Sequence, residues 1–464
     1  MDFQTKTARL ISEFTLDLAT LRQISLDFEK AMDAGLAGQK STLKMLPSFV
    51  GLPTGGEYGS ALAIDFGGTN VRTMNVNLDG NRGARINNIR RIGLKNPVLG
   101  RDLTTEESTG EELFQFIAQE LKDIPKSTKP QPLGCTFSFP CDQINLKSAK
   151  LINWTKEFKT RDTVGREINE LLTSGLVYQS LEHIEVTAII NDTVGTLLAG
   201  SYQSANVDIA AICGTGHNAC YLEPTHPLTG APMIVNIESG NFDGIPQTRF
   251  DKELDLTTYN PGSQQMEKMV SGRYLGVLIG RVLQELYRDT GLPISAQLAE
   301  LRSISGEDID NILLDVAPFE TIAKIFKERF DTETTAEQRQ AIQKIIRAIS
   351  ERSARIVAAT FAGIVRHIDS AGERPHVIAI DGSLYEKIPK YSEHLQNALR
   401  ELLGQQNQVR TILAKDGSGL GAAVAAILAV GSADTNFCYP SPGTDVPETT
   451  MSASPLDDVS SKEQ

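Results

Sequence analysis

The sequence predicts an α/β fold divided into two lobes. Its 464 residues exceed what one hydrophobic core usually holds. Strand-like and helix-like segments alternate over residues 61–200, and 265–370 is mainly helical. Glycine-rich turns also follow apolar strands at four places in the chain. Such turns expose backbone N–H groups that can bind an anion, so we expect them to line a ligand-binding cleft.

The first predicted element is an amphipathic helix near the N-terminus. Leu21, Ile24, Phe28 and Met32 recur at spacings of three and four residues, which places them on one helical face. We interpret this stripe as ordinary core. A second long helix is predicted over 336–367, where isoleucines recur between charged residues.

The first glycine-rich turn lies between two predicted strands, 61–64 and 71–78. Gly67 and Gly68 are expected to take positive φ angles and to leave their backbone N–H groups open to an oxyanion. Asp65 ends the first strand and is expected to hold Mg²⁺ through water, since Mg²⁺ sheds its hydration shell reluctantly. A glycine pair between strands more often forms a simple hairpin, so this motif alone leaves both interpretations open.

Three further turns strengthen the case for a nucleotide site. One joins two apolar strands within 209–222, one follows the strand 378–380, and one precedes a helix predicted over 422–430. Four such turns, each after a buried strand, are typical of a cleft that surrounds a nucleotide. Their central residues are Gly214, Thr215, Gly216, Gly382, Ser383, Gly417, Ser418 and Gly419.

Asp192 is the candidate general base. It follows the apolar strand 186–190 and precedes a helix-like segment, 193–199, so its carboxylate can face a cleft. Asn-Asp-Thr is also favourable sequence for a helix N-cap. From the residues alone, the N-cap is the more common use of an aspartate in this position.

Composition limits the class of protein. A net charge of −13 argues against a nucleic-acid partner. No segment approaches the ~20 apolar residues of a membrane span, and the first residues do not resemble a secretory leader. The five cysteines are few and odd in number, and they lie mostly in strand-like segments without zinc-type spacing. We therefore expect a cytoplasmic protein with reduced thiols.

The order and amino-acid sequence of these motifs resemble those of the eukaryotic-type hexokinase and glucokinase family, which belongs to the superfamily of actin, heat-shock ATPases and sugar kinases. The resemblance covers about residues 20–430. Beyond the glycine turns it depends on five segments that occur in the family's order. These are Lys-Met-Leu-Pro-Ser at 44–48, Thr-Phe-Ser-Phe-Pro-Cys at 136–141, Asn-Trp-Thr-Lys-Glu-Phe at 153–158, Ile-Asn-Asp-Thr-Val-Gly at 190–195 and Asn-Pro-Gly at 260–262.

The resemblance implies an actin-like, ribonuclease H-like fold with duplicated βββαβα lobes around a central cleft. The small lobe would cover 58–190 and regain a helix at about 421–430. The large lobe would take 1–57 and 191–420. Residues 431–464 are poor in apolar side chains and are predicted to be a disordered tail.

The resemblance also implies an ATP-dependent hexokinase that transfers the γ-phosphoryl group of MgATP to the 6-hydroxyl of a hexose. Glucose is the first expectation, giving glucose 6-phosphate at the start of glycolysis. Two alternatives stay open: a catalytically weak or inactive sugar-binding regulator of the same fold, and a kinase for mannose, fructose or an amino sugar. The sequence does not fix the oligomeric state.

By the same resemblance, Asp192 accepts the proton of the 6-hydroxyl, and Lys156 offsets negative charge beside the reacting oxygen. A ring of polar groups suits a polyol, because each sugar hydroxyl both donates and accepts a hydrogen bond. The implied sugar contacts are Ser138, Phe139, Thr155, Lys156, Asn191, Asp192, Asn218, Glu238 and Glu267. The implied nucleotide contacts are Asp65, Gly67, Gly68, Thr69, Asn70, Arg72, Gly214, Thr215, Gly216, Gly382, Ser383 and Ser418. Arg72 is explained equally well as a surface residue of an outward strand position.

Two positions depart from the family pattern. After Glu238, relatives place a tryptophan and a Gly-Ala-Phe-Gly turn, whereas this chain continues with Ser-Gly-Asn-Phe at 239–242. We therefore expect Glu238 to have lost its packing support, which affects the preferred sugar more than the reaction type. His217 stands where relatives have a small residue. It either adds positive charge near the phosphates below pH ~6.5 or forms only local hydrogen bonds.

Overall fold

Two β-sheets flanked by helices form the framework of the computed structural model. Over the part of the chain that it describes, no helix is both long and apolar enough to cross a bilayer. The described residues are 2–67, 70–96, 100–124, 129–155, 158–404 and 408–434.

The elements follow in chain order. The strands are β1 (Leu46–Pro47), β2 (Tyr58–Phe66), β3 (Asn70–Asp79), β4 (Ala84–Gly93), β5 (Lys95–Asn96), β6 (Arg101–Asp102), β7 (Gln131–Phe137), β8 (Cys141–Asp142), β9 (Lys150–Leu151), β10 (Ile184–Ile190), β11 (Val207–Cys213), β12 (His217–Glu223), β13 (Met233–Asn236), β14 (His376–Asp381) and β15 (Val409–Leu413). The helices are α1 (Phe3–Glu13), α2 (Leu18–Leu36), α3 (Gly110–Gln119), α4 (Ile168–Tyr178), α5 (Asp192–Gln203), α6 (Arg249–Leu256), α7 (Gln265–Val270), α8 (Gly272–Asp289), α9 (Ala296–Ala299), α10 (Gly306–Leu314), α11 (Glu320–Phe330), α12 (Ala336–Ile368), α13 (Ser383–Lys387), α14 (Tyr391–Leu403) and α15 (Gly417–Asp434).

The first sheet has the strand order β4-β3-β2-β7-β10. β2 pairs antiparallel with β3, and β2, β7 and β10 run parallel. Parallel strands end at the same edge of a sheet, so Phe66, Phe137 and Ile190 bring the segments that follow them together. The residues next along the chain include Gly67, Ser138, Asn191 and Asp192, as a shared site requires.

The second sheet repeats this pattern. Its order is β1-β13-β12-β11-β14-β15, in which β11, β12 and β13 are antiparallel and β14 and β15 run parallel to β11. Helices lie between the corresponding strands of both sheets. The predicted α/β fold with duplicated βββαβα units is therefore confirmed. The larger strands of the first sheet all fall within 58–190, although the division of the chain into two lobes stays a prediction.

The two long predicted helices are also confirmed. α2 buries Leu21, Ile24, Phe28 and Met32 against the core beside the second sheet, where α12 also packs. α12 extends one residue beyond the predicted range, to Ile368. Both helices are amphipathic because one face of each contacts this core.

Helix α15 connects the two halves of the molecule. It packs on α5 and on β2, β7 and β10, within a core that both sheets share. A Cβ atom on Gly421 would lie 1.8 Å from the Gly195 carbonyl oxygen, and one on Gly134 would lie 1.8 Å from the Ala422 carbonyl oxygen. Glycine is thus the residue that allows backbone-to-backbone contact where α5, α15 and β7 meet.

Helix α15 is also longer than predicted. It spans Gly417–Asp434, so the expectation that the chain becomes irregular from residue 431 is wrong for its first four residues. The rest of the predicted disordered tail, 435–464, lies outside the described residues.

Candidate active site

A cavity of about 540 Å³ lies between the facing edges of the two sheets, and it is here called the cleft. Most of the predicted site residues line it, and they come from both sheets. From the first sheet and its loops these are Asp65, Gly67, Arg72, Ser138 and Thr155. From the second half and α15 they are Asp192, Gly214, Thr215, Gly216, Glu267, Gly382, Ser383 and Ser418.

Asp192 lines the cleft in the first turn of α5. The N-cap of this helix is Asn191, whose Oδ1 accepts a hydrogen bond from the Thr193 backbone N at 2.9 Å. The interpretation of Asp192 as the N-cap is therefore wrong. Its own Oδ1 also accepts from the Thr193 N at 2.9 Å, and the positive end of the helix dipole favours a negative charge at this position.

Asp65 and Arg72 face each other across the β2–β3 hairpin. Arg72 Nε donates to Asp65 Oδ2 at 2.8 Å, Arg72 Nη1 pairs with Asp416, and Arg72 Nη2 lies 3.4 Å from Ser418 Oγ. Thr136 Oγ1 donates to the other oxygen of Asp65 at 3.0 Å. Arg72 thus joins the first sheet to the start of α15 inside the cleft, and its interpretation as a surface residue is wrong.

Asp381 is a cleft residue that the sequence analysis did not select. It ends β14, directly before Gly382. Burial raises the pKa of Asp381 to about 6, and the carboxylates of Asp416 and Asp65 add to the rise while Arg72 opposes it. Arg72 pairs with Asp65 and Asp416, and its positive charge also acts on Asp381. Asp381 and Asp416 each precede a glycine-rich turn, as Asp65 does. This repeated pattern could have identified both of them as candidate site residues from the sequence.

These carboxylates fit a Mg²⁺ ion that arrives with nucleotide phosphates. Asp65, Asp381 and Asp416 offer only oxygen ligands, which Mg²⁺ prefers, and their combined charge exceeds that of Arg72. Across the described residues, no three His, Cys, Asp or Glu side chains are grouped closely enough to hold a metal directly. The role predicted for Asp65, holding Mg²⁺ through water, stays a prediction.

The second glycine-rich turn is tied to helix α8. Gly214 N donates to the Gly216 carbonyl at 3.1 Å, and the Gly214 carbonyl accepts from Gly272 N at 2.8 Å. Gly382 approaches this turn with a φ of 124°, and a Cβ there would lie 2.5 Å from the Cys213 carbonyl oxygen. Only glycine fits at 382, so the backbone of two turns meets at one wall of the cleft.

The first glycine-rich turn differs from expectation. Gly67 does not take a positive φ angle, and its N–H closes the hairpin by donating to the Asn70 carbonyl at 3.2 Å. Gly68 and Thr69, predicted nucleotide contacts, lie outside the described residues. Asn70 begins β3, and its side chain does not line the cleft.

An aromatic cluster supports the loops that carry Ser138 and Thr155. Phe139 is buried, and its ring packs edge-on to Trp154 with centroids 4.7 Å apart. The Trp154 indole donates to the Thr160 carbonyl at 2.9 Å. Phe139 therefore positions its neighbours rather than lining the cleft. Lys156, the second predicted catalytic residue, lies outside the described residues.

A hydrogen-bonded amide network lies next to the cleft. Asn218 Nδ2 donates to Asn236 Oδ1 at 2.8 Å and lies 3.5 Å from Asn191 Oδ1. Asn236 Nδ2 donates in turn to Glu238 Oε1 at 3.0 Å. The structure thus brings together three predicted sugar contacts, and it adds Asn236, which sequence reasoning missed although it is only two residues before Glu238.

The altered loop after Glu238 has its own packing support. Glu238 takes a left-handed conformation, with φ 57°, before a 3₁₀ turn over Ser239–Asn241. Asn241 Nδ2 donates to the Glu238 carbonyl at 3.1 Å, and the buried Phe242 ring packs edge-on to Phe28 at 5.0 Å. The expectation that this acid had lost its support is wrong, because Asn241 and Phe242 hold the turn.

His217 is buried and does not supply charge to the cleft. Its side chain is 4% exposed, and burial lowers its pKa to about 4. His217 Nδ1 lies 3.8 Å from Cys213 Sγ. The interpretation of His217 as a cation near pH 6.5 is therefore wrong. Its backbone N instead donates to Glu267 Oε2 at 3.0 Å, which helps to hold that carboxylate in the cleft wall.

Known proteins resemble this chain over nearly all of its length. Family models described as hexokinase match residues 6–202 and 208–428. Hexokinase-1 of Oryza sativa subsp. japonica is 35% identical over 91% of this chain and 90% of its own length. Hexokinase-1 of Schizosaccharomyces pombe is 32% identical over 92% and 91%. Hexokinase-2 of Rattus norvegicus is 34% identical over 92% of this chain, which spans 48% of that relative.

Solved structures show the same similarity. A hexokinase from Schistosoma mansoni, complexed with glucose, superposes with a TM-score of 0.81 at 29% identity and covers 92% of this chain and 100% of that one. A second hexokinase crystal structure gives a TM-score of 0.80 at 31% identity over 92% of this chain and 99% of that chain.

Proposed function

Because the chain belongs to the hexokinase family and catalyses the ATP-dependent phosphorylation of a hexose, we propose that glucose is its acceptor and that Asp192 is its general base. The observation that carries this proposal is one cleft lined by Asp192, by hydroxyl groups of the first sheet and by the Gly214–Gly216 turn. The S. mansoni relative is complexed with glucose, which supports that choice of sugar.

The proposed reaction begins with the sugar 6-hydroxyl beside Asp192. The carboxylate accepts the hydroxyl proton as the oxygen attacks the γ-phosphorus of ATP, and ADP leaves. The Thr193 N–H and the first turn of α5 hold Asp192 in one place, so little reorganisation is needed during transfer. Lys156 would offset charge at the same oxygen, and this role stays a prediction.

The remaining sugar hydroxyls would meet partners on both walls of the cleft. Ser138 and Thr155 lie on one side, and Glu267 lies on the other with Asn218 and Glu238 behind it. Hydroxyl and amide groups donate and accept, whereas carboxylates only accept. This mixture suits a neutral polyol, whose hydroxyl groups need both kinds of partner when water is excluded.

The phosphates would lie between the glycine-rich turns. The backbone N–H groups of residues 214–216 and the Thr215 hydroxyl would contact them, and Gly382 and Ser383 would flank the adenosine. When bound, Mg²⁺ would neutralise charge that develops on the transferring group. Asp65, Asp381 and Asp416 would hold it through water, with Arg72 balancing the excess negative charge of these side chains.

A coupled assay of ADP production tests the acceptor. We expect turnover that requires a sugar and is highest with glucose, compared with mannose, fructose, glucosamine and no sugar. Higher kcat/KM with another sugar would overturn glucose as the acceptor and leave the reaction intact. No turnover with any sugar, together with measurable sugar binding, would instead favour the regulatory alternative.

The raised pKa of Asp381 predicts a pH dependence of nucleotide binding. As the pH falls through about 6, Asp381 takes up a proton and the cleft loses a negative charge that favours Mg²⁺. The KM for MgATP should therefore rise in the wild type. Asp381→Asn should raise this KM about tenfold at pH 7.5, the usual effect of losing an outer-shell metal partner, and should remove the part of the pH dependence due to residue 381.

Protonation of ATP itself affects every variant equally, so the difference between variant and wild-type profiles reports on Asp381. Asp123→Asn, on the exposed surface beside Arg90, is the matched control. Identical pH profiles for wild type and Asp381→Asn would contradict the assignment.

A further inference from the structure

We propose that a second cavity beside the cleft binds a small metabolite that carries two phosphate groups. This cavity has a volume of about 830 Å³ and lies along one side of α8, between residues 257–259 and the loop 299–302. It shares Tyr259, Arg273 and Tyr274 with the cleft and extends away from Asp192 along the helix. We call it the arginine cavity. Its volume is in the range of small-molecule sites.

The charge of the arginine cavity is opposite to that of the whole chain. Arg273, Arg281 and Arg302 line it, against a single carboxylate, Glu300. The chain as a whole has a net charge of −13. The positive charge of this cavity therefore differs in sign from the charge of the protein as a whole. Guanidinium groups bind phosphate oxygens through two parallel N–H donors, and several of them together favour a ligand with more than one phosphate.

Arg281 is held in place at the wall of the cavity. Its Nη2 donates to Thr257 Oγ1 at 2.9 Å, which fixes the guanidinium against the cavity wall. Its Nε is buried and has no hydrogen-bond partner among the described residues. Arg281 is therefore oriented at the wall before a ligand arrives, and a phosphate would bind its guanidinium through the Nη groups rather than through the buried Nε.

The loop that carries Arg302 is fixed to the same helix. Gln284, one turn after Arg281 on α8, donates through Nε2 to the carbonyl groups of Leu298, Ala299 and Leu301 at 3.0, 3.1 and 3.0 Å. The exposed Arg302 follows directly. Arg281 lies on the helix, and Arg302 follows a loop that is hydrogen-bonded to the same helix. The two side chains are therefore positioned before a ligand arrives.

Helix α8 links the arginine cavity to the nucleotide site. Its first residues donate to the second glycine-rich turn, Gly272 N to the Gly214 carbonyl at 2.8 Å and Arg273 N to the Thr215 carbonyl at 3.2 Å. A ligand that contacts Arg273 and Arg281 therefore acts on the helix that supports the proposed phosphate contacts. Occupation of the cavity should change the KM for MgATP.

Calorimetric titration with fructose 1,6-bisphosphate and with pyrophosphate tests the site, in the presence of saturating Mg²⁺ and a non-hydrolysable ATP analogue that fills the cleft. We expect the wild type to bind at least one probe. Arg281→Gln and Arg302→Gln should each weaken binding about tenfold or more, as expected for the loss of a charge-assisted contact. Both variants should keep wild-type turnover without the probe. Arg288→Gln, an exposed arginine in the last turn of the same helix, should bind like the wild type.

Three results would overturn the proposal. Equal binding by the wild type and both cavity variants would place the probe elsewhere. Loss of binding when the ATP analogue is present would assign the cavity to the nucleotide site. No binding of either probe to the wild type at millimolar concentration would show that the arginines do not form a phosphate site.

Discussion

Replacing Asp192 by alanine should lower kcat at least ~100-fold, because the sugar hydroxyl would lose both its proton acceptor and a group that orients it. The effect should fall on kcat more than on sugar affinity, since Ser138, Thr155 and Glu267 keep their places in the cleft wall. The coupled assay of ADP production measures it. Glu185→Ala, an exposed acid on the strand that leads to Asp192, should leave kcat unchanged.

Asp192→Asn separates the chemistry from the shape of the site. The amide keeps an oxygen that can accept from the Thr193 N–H, but it cannot take a proton at neutral pH. We expect a loss of kcat close to that of the alanine variant with a nearly unchanged KM for the sugar. An asparagine variant with wild-type kcat would show that Asp192 is not the base.

The substitution with the largest expected effect on stability breaks a buried ion pair between α6 and α12. Arg352 donates through Nη1 and Nη2 to the two oxygens of Asp251 at 2.7 and 2.8 Å, and both side chains are almost fully buried. Asp251→Ala would leave the guanidinium without its partner in the core. The free energy of unfolding should fall by about 3–5 kcal/mol, measured by urea unfolding at pH 7.

The exposed pair Lys147–Glu185 provides the matched comparison for this prediction. Both of its side chains are at least half exposed, so Glu185→Ala should cost less than about 1 kcal/mol. The double variant Asp251→Ala/Arg352→Met should recover part of the lost stability, because it removes the unpaired charge. Equal losses for Asp251→Ala and Glu185→Ala would contradict the assignment of the buried pair as a large contributor.

Local sequence patterns predicted the framework of the site. The glycine-rich turns after strands, and the aspartate after β10, could be predicted because a strand, its turn and the next residue are neighbours in the chain. Asp381 and Asp416 also precede glycine-rich turns. They were not predicted as site residues because the turns were interpreted through their glycines alone. A residue type that recurs before each turn is itself a signal.

Contacts between distant segments could not be read in this way. Arg72 pairs with Asp416, 344 residues further along the chain. This long-range ion pair directs the arginine side chain into the cleft. The same holds for the loop after Glu238, which is supported by a contact between Phe242 and Phe28 of α2. The burial that lowers the pKa of His217 is likewise a property of the assembled sheet.

The position of α15 has a consequence for how the polypeptide matures during synthesis. This helix comes after all of the strands that the described residues form, yet it fills the core that both sheets share. A ribosome adds about 5–20 residues per second, so about 10–45 s separate the end of β10 from the start of α15. The apolar face of the first sheet lacks its final cover throughout that interval. We therefore expect the first sheet to complete its core only after α15 has been made.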